Sequence, residues 1–402
     1  MNKIVRRLSV ILLLSLCLIL FIAGGTQAAS ATSTAPKRLR VGTVASLTNF
    51  PVGVAWGRGI KLFFDKINEQ GGINIGGQTY LFDFFLEDDE FSSEVAATAA
   101  NKLVHQHKVK YMFGSILDNC AEAIYNVTSK NKVLYIEQIN YPGGPADVSP
   151  KKPLLLRSMM TEDAAQDILF KYLRKLYPDV KNIVVSGADF YPMSFYERNR
   201  SIPINNGFKV LDTQLWPQGT EDFIPIATKI LAKKPDAIHI FLAAWAPPEI
   251  RAIRQLGFKG PIISDTPLPI SNNLRIAGAE ASTDLLCCGM YDFAPPTKEA
   301  KEIMDLWAAK YKEPFLADAW LGWDNPWMLI QGMKKAQSIE PEKILAALET
   351  MTKPGDIKTT FGDGNIGGLK RFGVNRVLIK PWTITHIMSG KPTILEKTLI
   401  QE

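Results

Sequence analysis

A chain of 402 residues, 46% hydrophobic and 21% charged, has globular composition, which excludes a wholly disordered, collagen-like or polytopic membrane protein. Its length suggests two domains, each able to bury its own core. Of the formal charge of +6, Lys3, Arg6 and Arg7 carry half, so the remaining chain offers no electrostatic reason to bind nucleic acid or anionic lipid.

The N-terminus comes first. Residues 3–7 are basic, 8–23 are almost continuously apolar, and Thr26-Gln27-Ala28 places small residues three and one before a cut. This is the tripartite pattern of a secretory signal, expected to occupy 1–28 and to be cleaved near Ala28, which makes the mature protein periplasmic. The competing reading is a retained anchor, but the apolar run is shorter than the about 20 residues that span a bilayer. A lipoprotein reading would use Cys17, but Leu16 stands before it where a small residue is expected. Residues 29–38 read as a flexible lead.

From residue 39 strands and helices alternate. Residues 39–45 alternate as a strand, and 54–70 carry Ile60, Phe63, Phe64 and Ile67 at helical spacing up to a Gly71-Gly72 stop. Residues 80–86 form a strand, and 92–107 a helix capped by Ser92 or Ser93. A strand at 109–113, a helix to about 130 and a strand at 133–137 follow. After Arg157 the pattern restarts. Helices are expected over 163–176, within 194–206, and over 222–232 and 247–256; strands are expected at 182–186, 209–215, 237–242 and 261–264. Helices at 298–311, 318–335 (broken or kinked near Pro326) and 341–351 precede a β-branched tail at 374–387. The fold class is therefore α/β, with two doubly wound parallel-sheet lobes joined by a hinge of about three crossovers, near Arg157, Tyr291 and Val377. Lobe 1 takes 39–157, completed by 292–376; lobe 2 takes 158–291, completed by 377–402.

Signals for catalysis or metal are weak. His105 and His107 are two apart on a helix and face different ways, His239 sits in an apolar strand as a core residue, and His386 stands alone. There is no nucleophile elbow, phosphate loop or dinucleotide fingerprint. Gly362-Asp363-Gly364-Asn365 reads as a turn and not a calcium loop. Cys120, Cys287 and Cys288 show no disulfide-framework spacing; the adjacent pair reads as small residues in a strand, with a strained vicinal disulfide as the alternative. No enzyme, cofactor or metal is expected.

A resemblance adds to this. The run Asp65-Lys66-Ile67-Asn68-Glu69-Gln70-Gly71-Gly72-Ile73-Asn74, continuing through Phe84 to Asp88 and residues 96–104, resembles the type I periplasmic binding proteins of branched-chain amino acid uptake systems. Tyr111-Met112-Phe113-Gly114-Ser115, Leu155-Leu156-Arg157-Ser158, Ile253-Arg254-Gln255-Leu256-Gly257 and Ile276-Ala277-Gly278 match in order and spacing. The resemblance implies two lobes closing on a small molecule, a membrane permease as partner and a monomeric binding protein of an ABC transporter.

The family's carboxylate-holding Ser and Thr fall near Asp118 and Tyr141, and its acid for the amino group falls at Thr266, beside Asp265. These are departures: Asp118 would repel a ligand carboxylate, while Asn119 and helix N–H groups could still hold one. The remaining candidate contacts are Phe50, Trp56, Asn140, Asp189, Tyr191, Trp245 and Asp318. They suit an amino acid or related compound, an aromatic carboxylate, or a cationic or nitrogenous solute over Trp. Trp320 and Trp323 form a helix face, and Trp327 is expected in the core. A sensor that reports ligand to a receptor is the alternative to a transport component.

Overall fold

The computed structural model describes residues 35–139, 147–189, 193–217, 219–241, 246–265, 270–289 and 296–401. The expected export signal, Asn140, Tyr141, Tyr191, Trp245, Thr266 and the crossing near Tyr291 lie outside these residues. Among the described residues no helix is long and apolar enough to cross a membrane.

Strand β1 (Lys37–Ala45) is buried along its second half and feeds α1 (Pro51–Glu69), which turns Ile60, Phe63, Phe64 and Ile67 inward. Gly71 and Gly72, at φ of 86° and 96°, end the helix, because only glycine reaches that region without a Cβ clash. A hairpin follows, β2 (Ile73–Ile75) and β3 (Gln78–Asp88), turned by Gly76-Gly77 with both φ positive. Then come α2 (Ser93–His105), capped by Ser92 Oγ on the Val95 N–H, β4 (Tyr111–Phe113), α3 (Asp118–Thr128), β5 (Leu134–Glu137) and β6 (Leu155–Arg157).

The second set runs α4 (Glu162–Leu176), β7 (Asn182–Asp189), α5 (Met193–Asn205), β8 (Lys209–Pro217), α6 (Ile224–Ala232), β9 (Ala237–Ile240), α7 (Ala246–Gln255), β10 (Ile262–Asp265), α8 (Ile270–Ala277) and β11 (Leu285–Gly289). Helices α9 (Lys298–Tyr311), α10 (Asp318–Ala336) and α11 (Pro341–Glu349) lead to β12 (Ile357–Thr359), β13 (Gly362–Gly367), the short α12 (Leu369–Phe372) and β14 (Val377–Ile379). The chain ends in β15 (Pro381–Met388) and β16 (Lys391–Leu399).

These strands make two sheets. One has the order β12-β13-β14-β6-β5-β4-β1-β3-β2, the other β16-β15-β11-β10-β9-β7-β8. The chain leaves the first sheet after β6, returns to it after β11, and leaves again between β14 and β15. The α/β class and three crossings agree with the sequence. The sheets are mixed, however, and not purely parallel: β2, β12, β13 and β15 pair antiparallel, because hairpins supply the edges.

Three local expectations need correction. Residues 362–365 begin β13 instead of making a turn; Gly364 is required there because a Cβ would lie 2.4 Å from the Ile379 carbonyl oxygen. Helix α10 runs unbroken through Pro326. Its packing explains this: a Cβ on Gly322 would lie 2.0 Å from the Trp56 oxygen, and one on Gly59 would lie 2.1 Å from the Ala319 oxygen, so α1 and α10 cross almost backbone to backbone. That contact, with Asn325 Nδ2 donating to the Leu321 carbonyl, outweighs the roughly 3 kcal/mol an interior proline costs. Trp327 is half-buried at the core rim, not inside it.

Candidate functional site

In the first sheet β1 lies between β3 and β4, so the chain winds outward from β1 in both directions. Loops leaving the carboxyl ends of β1 and β4 diverge there, which opens a crevice at the switch point. Phe50 sits at the N-cap of α1, its ring edge-on to Phe91 at 5.2 Å. The loop before it is tied down: Leu47 N–H and Thr48 Oγ1 donate to Asp88 at 2.8 and 2.6 Å. Burial alone would raise Asp88, but these hydrogen bonds hold it below the ordinary carboxylate value.

On the β4 side, Gly114 has φ of 107°, and a Cβ there would meet the Val44 oxygen at 1.8 Å, so the backbone must be bare to pass. Ser115 Oγ donates to the buried Asp89 at 2.6 Å and accepts from the Leu117 N–H. Asp118 then opens α3 with its Oδ1 out of solvent and without a hydrogen bond. Burial lifts this carboxyl to about 6; Arg157 pulls it down and Asp147 pushes it up. Asn119 beside it is exposed.

Next along the edge, Arg157 ends β6 fully buried. Its guanidinium donates to the Met159 oxygen (2.9 Å), the Ile139 oxygen (2.7 Å) and Asp147 (2.6 Å), and stands 3.7 Å from Glu137. Three carboxyls, Asp118, Glu137 and Asp147, thus share the field of one cation. Burial carries Glu137 to about 8 despite Arg157 and the Ile139 N–H. Gln138 projects from the same strand end. Its Oε1 accepts from Trp56 Nε1 (2.7 Å) and Asn325 Nδ2 (2.8 Å) and stands 3.3 Å from Ser158 Oγ. Trp56 is 1% exposed and its N–H is committed to Gln138. Asp318, in the first turn of α10, is buried next to Ala319, which packs on Gly59 of α1, and burial lifts its carboxyl to about 6.

The second sheet repeats the topology: β7 lies between β8 and β9, a second switch point. Asp189 ends β7 exposed, and Asp265 ends β10 one strand beyond β9. Glu249 in the first turn of α7 is buried and accepts from Ser186 Oγ on β7 and from Trp216 Nε1 on β8 at 3.1 Å. Burial raises it to about 7. Glu249 therefore ties the start of α7 to β7 and to the edge strand β8.

The family of periplasmic binding proteins matches residues 40–391. The chain belongs to this family. It is similar to the leucine-, isoleucine-, valine-, threonine- and alanine-binding protein of Pseudomonas aeruginosa, 22% identical over 73% of this chain and 77% of that protein. Among solved structures it superposes on LivJ, the branched-chain amino acid transporter substrate-binding protein of Streptococcus pneumoniae, in complex with isoleucine. There the TM-score is 0.69 at 18% identity, covering 91% of this chain and all of that one. It also superposes on a solute-binding protein of an ABC transporter from Rhodopseudomonas palustris in complex with 3,4-dihydroxybenzoic acid. That TM-score is 0.69 at 17% identity, covering 91% and 98% of the two chains.

In this binding protein, then, Phe50 and Trp56 follow β1 and Asp118 and Asn119 follow β4 at the carboxyl edge of the first sheet, Asp318 opens α10, and Asp189 and Asp265 end strands of the other sheet; Phe50 lines a hollow with Arg58, Trp307 and Leu316. Ser115, Glu137, Gln138, Arg157 and Glu249 were not singled out from the sequence as site residues. The available signal was polar residues closing apolar runs: Glu137-Gln138 after 133–136, and Arg157-Ser158 after 154–156. Other expectations resolve simply. His239 is buried in β9, where burial lowers it to about 3. His386 is not alone; its Nε2 is 2.9 Å from Tyr177 Oη and 3.6 Å from Asp284. Cys287 and Cys288 are buried in β11 and not joined to each other. Trp320 Nε1 donates to the Ala300 carbonyl at 2.9 Å, turned toward α9. Among the described residues no group of three or more acidic, histidine or cysteine side chains is placed to hold a metal ion.

Proposed function

We propose that this chain is the exported solute-capturing component of an ABC uptake transporter, which closes on a small polar solute and delivers it to a membrane permease. The observation that supports it most is the pair of switch points, one per sheet, lined by polar strand-end residues in a family of binding proteins. In this reading 1–28 is removed near Ala28 on export. Residues 39–157 with 292–379 form one lobe, and 158–291 with the chain from β15 onward form the other, because β14 pairs in the first sheet. The lobes hinge at the three crossings and the closed form is what the permease recognises. Strand-end residues such as Asp118, Asn119, Asp189 and Asp265, with Phe50, Asp318 and the loops carrying Asn140, Tyr141, Tyr191, Trp245 and Thr266, contact the solute, while Trp56, buried with its N–H on Gln138, backs them. It acts as a monomer, without cofactor and without turnover of what it binds.

The solute is an amino acid or a related carboxylate, which is the class named for the Pseudomonas and Streptococcus relatives; the aromatic acid of the Rhodopseudomonas protein marks the neighbouring class. A nitrogenous or cationic solute is the second reading, favoured by Asp118, whose buried Oδ1 has no donor. A thermal-shift screen of amino acids, aromatic acids and amines separates these, since a ligand that binds only the native state raises its melting temperature. The strongest hit is expected to lose its shift in Trp245→Ala. If Trp245→Ala keeps the full shift, the assignment of that loop to the pocket is wrong.

A further inference from the structure

Gln138 is 4% exposed, so its carboxamide is removed from bulk water almost completely. Trp56 Nε1 on α1 and Asn325 Nδ2 on α10 donate to Oε1, and Ser158 Oγ, whose one hydrogen goes first to the Glu137 carbonyl at 2.9 Å, stands 3.3 Å from it. The indole and amide N–H groups can donate but not accept, so the two of them fix the carboxamide: Oε1 faces the helices and Nε2 faces away from them. Among the described residues, no acceptor receives either Nε2 hydrogen. Nε2 is therefore the end of this nearly buried side chain that remains accessible, and its two hydrogens are open to a molecule in the space beside it.

Its position says what that is. Gln138 follows the last residue of β5, at the carboxyl edge of the sheet, between the ends of β4 and β6 and against the indole of Trp56, whose ring also lies under Gly114. This is the edge at which open α/β sheets present ligands. The geometry points to Gln138 as a specificity-determining contact whose Nε2 donates to an acceptor oxygen, carboxylate or carbonyl, on the bound solute. The inference rests on the solute-binding reading above and deepens it. The oxygen-bearing end of the solute lies at Gln138 and any ammonium lies toward Asp118, which removes the conflict between Asp118 and a ligand carboxylate. Trp56 and Asn325 act through Gln138 as positioning residues, since Trp56 gives its one N–H and Asn325 one of its two to Oε1.

The test is Gln138→Glu, which is isosteric and keeps an acceptor for both protein donors while turning the donor end into a second acceptor. The two donors favour its ionised form. The probes are L-leucine, L-isoleucine, benzoate and 3,4-dihydroxybenzoate by titration calorimetry at pH 8, with melting temperature measured in parallel. Weakening of the wild-type hit by about tenfold or more is expected in a variant that still melts cooperatively, whatever its melting temperature. An unchanged affinity in a folded variant overturns the inference. If no probe binds the wild type, the carboxylate reading of the solute fails instead, and a high-resolution crystal structure of the unmutated protein decides about Gln138. A water or solute oxygen on Nε2 upholds it, and a protein carbonyl from residues 140–146 on Nε2, or an amide turned end for end, overturns it.

Discussion

Lys380 is the single residue between β14 and β15, where the chain passes from one sheet to the other, and it is fully buried. Its Nζ lies 2.9 Å from Asp324 Oδ2 on α10; Asp324 also accepts from Thr360 N–H at 2.8 Å and Thr360 Oγ1 at 3.2 Å. At an effective dielectric of 20 the two charges attract by about 6 kcal/mol, against a desolvation cost of several kcal/mol for each ion. The pair is therefore near break-even, but half of it is not. Burial already raises Asp324 and lowers Lys380, each opposed by its partner. Lys380→Met removes the cation and leaves a buried carboxylate, which is expected to cost about 3–5 kcal/mol at pH 8. The carboxyl then titrates still higher. A folded-state value above the unfolded one makes stability fall as pH rises between the two, so the deficit shrinks from pH 8 toward pH 5. Adding Asp324→Asn to Lys380→Met is expected to recover most of the loss, with a coupling of about 2–3 kcal/mol. Urea titrations followed by tryptophan fluorescence at both pH values read the wild type, Lys380→Met, Asp324→Asn and the double variant. A Lys380→Met loss under 1 kcal/mol, or a double variant as unstable as the single one, refutes the reasoning.

Gly322→Ala puts a methyl 2.0 Å from the Trp56 carbonyl oxygen, a backbone atom that cannot step aside, so α10 must shift from α1. The urea midpoint is expected to drop by the equivalent of about 1–3 kcal/mol or more, whereas Gly77→Ala, with open space around it, acts only through its positive φ. For Glu249, burial lifts the folded carboxyl from 4.5 to about 7, so it stabilises fully below 4.5 and loses that contribution as pH rises through 7. Glu249→Gln gives up one acceptor, at about 1 kcal/mol, yet escapes a charging penalty of up to about 3 kcal/mol. Its deficit at pH 5 is expected to vanish or reverse by pH 8 in parallel urea titrations, and a constant deficit contradicts the assigned burial.

The elements that sequence periodicity revealed are those whose period is set by one buried face: β1, α1, α2 and the short apolar strands β4, β5 and β9. Those it missed obey other rules. β2 has three residues and depends on Gly76-Gly77; β13 is rich in glycine and reads as a turn until Ile379 supplies its partner; β16 is mostly half-exposed and has meaning only beside β15. Pro326 reads as a break because the sequence does not display the helix that packs on Gly322. The site divides the same way. Asp118 and Phe50 were legible from their place after strands, but Gln138 matters through two donors and a hydroxyl that lie 82, 187 and 20 residues away along the chain.

Charge placement at the crossings follows a common logic. Arg157 closes β6 at the first, where Val377 of β14 pairs beside it and its N–H takes the Arg376 oxygen. Lys380 stands at the third, and Arg371 reaches Thr161 Oγ1 and Asp163 Oδ2, at 2.9 and 2.6 Å, from just before β14 to the start of α4. Apolar residues would bury as well and cost less to desolvate. They would also tolerate a slip, since a methyl group has no fixed partner. Arg157 is held by the Met159 and Ile139 oxygens, Asp147 and Glu137 among others, and these fix the register of β5, β6 and the segment after β5. Directional contacts of this kind hold register at the first and third crossings, where a slip would break them. The Gln138 carboxamide is tied into the first through Ser158 and to α10 through Asn325, so its place at the carboxyl edge is set by the same kind of directional contact.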